Sequence, residues 1–273
     1  MRVMSMLNRQ LLITELVNNP ILHRELKLRF YDHRLWWLGL GVTWLCLSVS
    51  GFGVLTIASS PTNSLDAWVG MLATVTNVTL GIMSLIATLM ASTVITRERE
   101  RRTWELLLMA PLQRFSLVIA KLVGAVSITW VWTIMCLPAL CLPYAVGDIM
   151  LSSTLLLIAF VFLTQTFFAT IGLFWSAIAR NSRMSMVGSI ITLLAFGLGT
   201  IVIDIALAQP WRLSFNITDL VLTQVCNPFI APVAALGLLK NLQWLMPFQM
   251  AFQAISMAIL LAWITRAIMW IEP

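Results

Sequence analysis

Apolar residues in this chain neither alternate nor recur as a single stripe; they run on with little polar relief in six long windows. About 20 consecutive apolar residues cross the roughly 30 Å of bilayer hydrocarbon. Windows of that kind run from Leu35 to Ala58, Trp68 to Thr96, Phe115 to Ala145, Ile149 to Ala179, Met184 to Ala208 and Gln243 to Trp270. The pattern predicts an all-α membrane protein, a bundle of about six transmembrane helices. The second, third and fourth windows exceed a minimal span, which predicts tilt, kinks or extension beyond the bilayer. Within the third, Pro138 and Pro143 each remove a backbone donor, so that span is expected to kink or end there.

Composition leads the same way, with 60% hydrophobic and 10% charged residues and a mean hydropathy of +0.92, against about a quarter charged residues in a soluble domain. Lysine and arginine resist translocation and so mark the cytoplasmic side. Arg2, Arg9, Arg24, Lys27, Arg29 and Arg34 precede the first window; Arg97, Arg99, Arg101, Arg102, Arg114 and Lys121 lie between or just inside the second and third. Arg180 and Arg183 separate the fourth from the fifth, and Arg266 lies near the end, leaving Arg212 and Lys240 outside. Both termini are therefore expected in the cytoplasm, in a bacterial plasma or inner membrane. Topology accounts for most of the +6 net charge, and no nucleic-acid partner is called for. A cleaved signal peptide fits poorly, since 34 residues of mixed polarity come first. No linker divides the chain, which reads as a cytoplasmic or interfacial segment, residues 1–34, followed by one membrane domain, residues 35–273. Cys46, Cys136 and Cys141 fall inside windows and Cys226 stands alone outside, without the spacing of a metal pair or disulfide framework.

Three segments outside the spans carry the functional information. In the first, Asn19 and Pro20 form a helix start, with Asn as cap and Pro where its missing N–H costs nothing. Leu22, Leu26 and Phe30 then share a face beside Arg24, Lys27 and Arg29, predicting a helix in the membrane interface. It is either a basic anchor that sets topology or a helix that couples cytoplasmic and membrane parts. In the second, Thr96 to Pro111, Glu98 with Arg102 and Arg101 with Glu105 are opposite charges four residues apart. They predict a helix continuing outward from the second span, with Trp104, Leu107 and Leu108 on one side and Pro111 as its stop. Charge alone fits a solvated loop; the apolar side argues for a docking surface or burial against the bundle. The third, Gln209 to Asn241, holds apolar stretches too short to span, which read as interfacial or re-entrant pieces. They either close the outer end of a pathway or cap it passively.

Within the bundle, Gly81, Ser84, Thr88 and Ala91 make a small-residue stripe suited to close helix packing. Trp36, Trp37, Trp68, Trp211, Trp244 and Trp270 lie near predicted interfaces, as anchors do. Asp204 is the acid inside a window, near its outer end. So little intramembrane charge disfavours ion-coupled transport, which uses buried ionisable groups; an apolar route suits an amphiphilic or lipid-linked substrate, or an interface that opens briefly. Intramembrane hydrolysis is disfavoured on chemistry. The histidines, His23 and His33, precede the spans, so no His dyad or zinc motif forms within them, and Asp204 has no acidic partner for an aspartyl mechanism.

The residues from Asn19 through Pro20, Arg24, Glu25 and Leu26 resemble the NPxxxREL motif of permease subunits of ABC-2-type exporters. Those from Arg97 through Glu98, Glu100, Arg101, Thr103, Trp104 and Glu105 to Pro111 are similar to the ERExGTxExLLxxP cytoplasmic loop of the same family. Arg102 stands where that family has glycine, so the turn there loses backbone freedom. The resemblance implies a six-span bundle with an N-terminal interfacial helix, a cytoplasmic docking helix and an outer re-entrant segment. It further implies that this subunit forms half of a homodimeric or heterodimeric pathway, contacting membrane lipids, while a separate ABC ATPase subunit supplies the work. Glu98, Glu100, Arg101, Thr103, Glu105 and Pro111 would then lie at the ATPase interface, with the helix of Asn19, Pro20, Arg24 and Glu25 beside them. ATP and Mg would sit on that partner, with no cofactor on this chain. The residues agree, because Lys27, Lys121 and Lys240 are followed by Leu, Leu and Asn, not by the Ser or Thr a phosphate-binding P-loop requires. The alternative is a non-transporting membrane scaffold or assembly subunit derived from the same permeases, since one fold hosts unrelated functions.

Overall fold

The computed structural model describes residues 20–59, 65–104, 114–147, 151–199, 227–229, 232 and 245–270. They form helices α1 (Pro20–Phe30), α2 (His33–Ala58), α3 (Leu65–Ser92), α4 (Val94–Glu100), α5 (Arg114–Met135), α6 (Leu137–Gly147), α7 (Leu151–Ile178), α8 (Ser182–Leu194) and α9 (Leu245–Trp270). No strand occurs among the described residues. Six stretches are long and apolar enough to cross a membrane: His33–Ile57, Ala67–Glu100, Arg114–Met135, Thr154–Ile178, Ser182–Gly199 and Leu245–Ile268. Each overlaps one apolar window, in order.

Lipid tails are as apolar as leucine, so burial of apolar surface cannot by itself pull membrane helices together; close packing and polar contacts must. The bundle is built accordingly around α3, α5 and α7, whose central windows are 61%, 67% and 61% buried, against 17%, 28% and 22% for α2, α8 and α9. The most extensive contact is α3 against α7. Part of the predicted small-residue stripe lies there: Ser84, Thr88 and Ala91 are fully buried, and a Cβ on Gly172 of α7 would collide with the Thr88 carbonyl and come 3.1 Å from the Ser92 nitrogen. Gly81, higher on α3, faces the Phe229 ring instead.

The third window breaks as its prolines predict. Helix α5 ends at Met135, and α6 restarts at Leu137, one residue before Pro138. The Cys136 N–H is shared between the carbonyls of Trp132 (3.0 Å) and Thr133 (3.1 Å). Pro143 lies within α6. At the other corner, Asp32 caps α2, its Oδ1 accepting from the Arg34 N–H at 3.0 Å, while Trp36 Nε1 donates to the Phe30 carbonyl at 2.9 Å. Those bonds fix the angle at which α1 leaves the first span and lies on α5.

After Leu194, α8 widens into a π-helical turn, Ala195–Gly199. Such a turn leaves carbonyls without their ordinary partners, and Asn227 Nδ2 donates to the Gly197 carbonyl at 3.1 Å. Asn227 Oδ1 also accepts from the Phe229 N–H at 3.0 Å. The Asn227–Phe229 turn thus reaches Gly81, midway along the second span. Apart from residues 227–229 and 232, the predicted re-entrant segment lies outside the described residues, as does Asp204.

Polar side chains inside the bundle meet across helices. Gln165 Nε2 donates to Thr133 Oγ1 at 2.7 Å, and Thr164 Oγ1 donates to Gln253 Oε1 at 3.1 Å. These bonds join α7 to α5 and to α9, where hydrocarbon offers no competing partner.

Candidate functional site at the basic end of the bundle

The second span does not run straight through. Helix α3 stops at Ser92, and α4 starts again at Val94 after Thr93. A helix start leaves backbone N–H groups unmatched, and here another span supplies the acceptor. Ser176 Oγ of α7 takes the N–H groups of Ile95 (3.0 Å) and Thr96 (3.2 Å). From α8, Ser185 Oγ donates to the Ser92 carbonyl at 2.6 Å. The break is therefore stitched to two neighbouring spans.

Helix α4 carries the charged stretch of the predicted loop, and its carboxylates reach in different directions. Glu98 turns inward to Lys121 of α5, which also meets Glu25 of α1; both Nζ to Oε1 separations are 2.5 Å. The Lys121 side chain is 1% exposed, and those of Glu25 and Glu98 are 17% and 16% exposed. One buried cation thus joins three elements. Gly124, one turn beyond Lys121, makes the approach of α1 possible, since a Cβ there would lie 2.9 Å from the Glu25 Cβ. Glu100 turns to the fifth span, accepting the Ser182 N–H at 2.7 Å at the first residue of α8. Thr96 and Ser182 hydroxyls meet at 3.1 Å on the same side.

The predicted helix through Glu105 is shorter than the charge pattern suggests. Helix α4 ends at Glu100, and Arg102 takes the left-handed backbone with φ of 57°. The Arg102 N–H returns to the Arg99 carbonyl and the Thr103 N–H to the Glu98 carbonyl, both at 3.0 Å, the paired bonds of a Schellman helix end. Glu98 and Arg102 therefore do not form a pair along a continuous helix; Glu98 belongs to Lys121. The turn geometry in question at Arg102 is the one glycine adopts without cost. Beyond it, Trp104 is buried, with the Arg99 guanidinium 5.7 Å from its ring centre.

Of the remaining predicted positions, Arg24, Glu100, Arg101 and Thr103 are exposed and Pro20 opens α1. Asn19, Glu105, Pro111, Leu107 and Leu108 lie outside the described residues. Residues from α1, α2, α3, α4 and α8 enclose a cleft of about 520 Å³, lined by Arg24, Arg29, Arg97 and Arg101 together with Glu25, Asp32 and Glu98. Burial holds the Arg29 guanidinium below the ordinary arginine value; Glu25 pushes it back up and the like charge of Arg97 lowers it further.

Lys121 is the residue that sequence reasoning undervalued. Grouping it with the cationic loop left the bundle almost free of charge, yet it lies inside the third span, fully buried. Its position was the available signal: seven residues past Arg114, within an otherwise uncharged window, a lysine needs a partner.

Six apolar spans around a closely packed centre, with ionic contacts gathered at one end, define a multi-pass helical membrane protein. The sequence matches the ABC-2 family transporter proteins over residues 19–269, and the chain belongs to that family. It is a membrane permease of ABC-2 type, and the match opens at Asn19, where the N-terminal motif begins. No match occurs among curated proteins.

Proposed function

We propose that this chain is the permease subunit of an ABC-2-type exporter, pairing with a second permease subunit and driven by a separate ABC ATPase on the cytoplasmic side. The orientation rests on the arginines of the described segments, since loops rich in Arg and Lys stay in the cytoplasm. ATP and Mg belong to the partner in this reading.

The observation that carries the proposal is the wiring of α4. Its exposed end, Arg101 to Thr103, is the surface an ATPase would touch, together with Glu105 and Pro111. Its body is tied to α1 and α5 through Glu98 and Lys121, to α7 through Ser176, and to α8 through Glu100. A displacement at the tip is therefore delivered to four elements at once. ATPase closure switches access only if its contacts with this tip differ between the two states. Glu98 and Glu25 act as the joint, and Glu100, Arg101 and Thr103 as the contact, with the helix from Asn19 and Pro20 through Arg24 moving as one piece with them.

Affinity purification in mild detergent tests the reading directly. The expected outcome is co-purification of an ATPase whose turnover is lost in Arg101→Glu and Glu105→Arg, while the permease stays folded. A stable complex that contains no ATPase in several detergents would overturn it and favour a structural subunit of permease ancestry.

A further inference from the structure

The cleft at the basic end has an unequal charge balance. Among the described residues the ion pairs belong to Lys121, which engages Glu25 and Glu98, and Asp32 is committed to capping α2. The arginines across the cleft make no ion pair. Arg29 is half-buried, and its guanidinium donates to the Met90 sulfur at 3.2 Å, a weak acceptor for a cation. Arg97 faces the same space from α4. Two like charges held together with no oxygen acceptor favour an anion between them, more so where burial lowers the local dielectric.

Part of the lining is apolar. Leu35, Leu89, Met90 and Met186 supply it from three spans, at the depth where α2 begins and α3 ends. A free anion has no use for such a lining, whereas a lipid places its phosphate at the interface and its acyl chains alongside the spans. The volume of about 520 Å³ suits a small headgroup and the first part of a chain. Basic pockets between spans on the cytoplasmic side recognise anionic headgroups by this chemistry.

We propose that this cleft binds an anionic phospholipid, its phosphate held between Arg29 and Arg97 and its upper acyl chain lying along Leu89, Met90 and Met186. Lys121 offsets one of the two carboxylates of Glu25 and Glu98, and the four arginines that line the cleft, Arg24, Arg29, Arg97 and Arg101, outweigh the negative charge that remains on it. The bound lipid fastens α1 to the second span, so it stabilises the joint that α1, α4 and α5 form. This holds whether or not the chain transports anything.

The test uses the full chain in mild detergent, titrated with dihexanoyl phosphatidylglycerol, dihexanoyl phosphatidylcholine and inorganic phosphate, with native mass spectrometry for adducts. Phosphatidylglycerol is expected to bind and raise the thermal midpoint, and the other two to bind at least about tenfold more weakly. Arg29→Gln and Arg97→Gln are each expected to weaken phosphatidylglycerol binding about tenfold, the loss of one charge-assisted hydrogen bond. Arg180→Gln, exposed and outside the cleft, leaves it unchanged. Arg97 is exposed, so its variant decides the matter if Arg29→Gln does not fold. Equal binding of the two lipids, or undiminished binding by Arg97→Gln, overturns the proposal. Inorganic phosphate binding as tightly as phosphatidylglycerol also overturns it, in favour of a free-anion site.

Discussion

Replacing Lys121 with methionine keeps the length and packing of the side chain but removes the charge that Glu25 and Glu98 share. Taking one partner from a buried ionic group costs about 3–5 kcal/mol, because what remains is charge without compensation. Here the remaining groups are two carboxylates that both approached one ammonium at 2.5 Å. The two side chains keep exposures of 17% and 16%, although Glu98 Oε2 is buried without a hydrogen-bond partner, which places the expected loss at no less than the lower figure, about 3 kcal/mol. Thermal unfolding in detergent, followed by tryptophan fluorescence, should show a midpoint about 6–12 °C lower, at roughly 2–4 °C per kcal/mol. Glu25→Gln or Glu98→Gln alone should cost about 1 kcal/mol, since the ammonium keeps one carboxylate and a neutral hydrogen bond to the other. The triple variant Lys121→Met, Glu25→Gln, Glu98→Gln should recover most of the loss, because neutral groups of similar size fill the space without stranded charge. A Lys121→Met protein as stable as the parent, or a triple variant no better than Lys121→Met, would refute the argument.

The turn at Arg102 and the contact at Gly172 give two further expectations of opposite sign. Arg102→Gly relieves a left-handed conformation at an exposed residue, and the gain of about 1 kcal/mol is partly offset by the extra freedom of glycine in the unfolded chain. The thermal midpoint should rise slightly, and a fall would mean that the arginine side chain makes a contact of value at that turn. Gly172→Val places a branched side chain against the Thr88 carbonyl and should destabilise by at least about 1–3 kcal/mol through overpacking of α3 on α7. Urea or heat unfolding of the detergent-solubilised variant reads this; an unchanged midpoint would mean that the two spans have room to separate.

Much of the architecture was legible before any coordinates. Six windows became six spans in the same order, Pro138 announced the break after α5, and Pro20 opened helix α1. The family motifs from Asn19 and Arg97 also mark the stretches that meet at the basic end. Other features were legible only in part. The charges from Glu98 to Glu105 read as a helix laced by its own pairs, but α4 ends at Glu100 because Arg102 turns left-handed and Glu98 has a better partner. Glu100 was placed by the family resemblance at an ATPase contact; it is exposed, and it also accepts the Ser182 N–H at the start of α8, a link no pattern in the sequence announces.

The difference has a physical basis. Whether a segment crosses a bilayer depends on its length and apolarity against a fixed thickness of hydrocarbon, a property each window carries alone. Whether Lys121 is an idle positive charge or the centre of a joint depends on side chains 96 and 23 residues away in sequence. Those partners are brought within reach by Gly124, which admits α1, and by the interruption at Thr93, which begins α4 anew beneath Ser176. Composition and periodicity decided that this chain would be a bundle of spanning helices; only the packing of one helix on another decided which charges would be spent inside it.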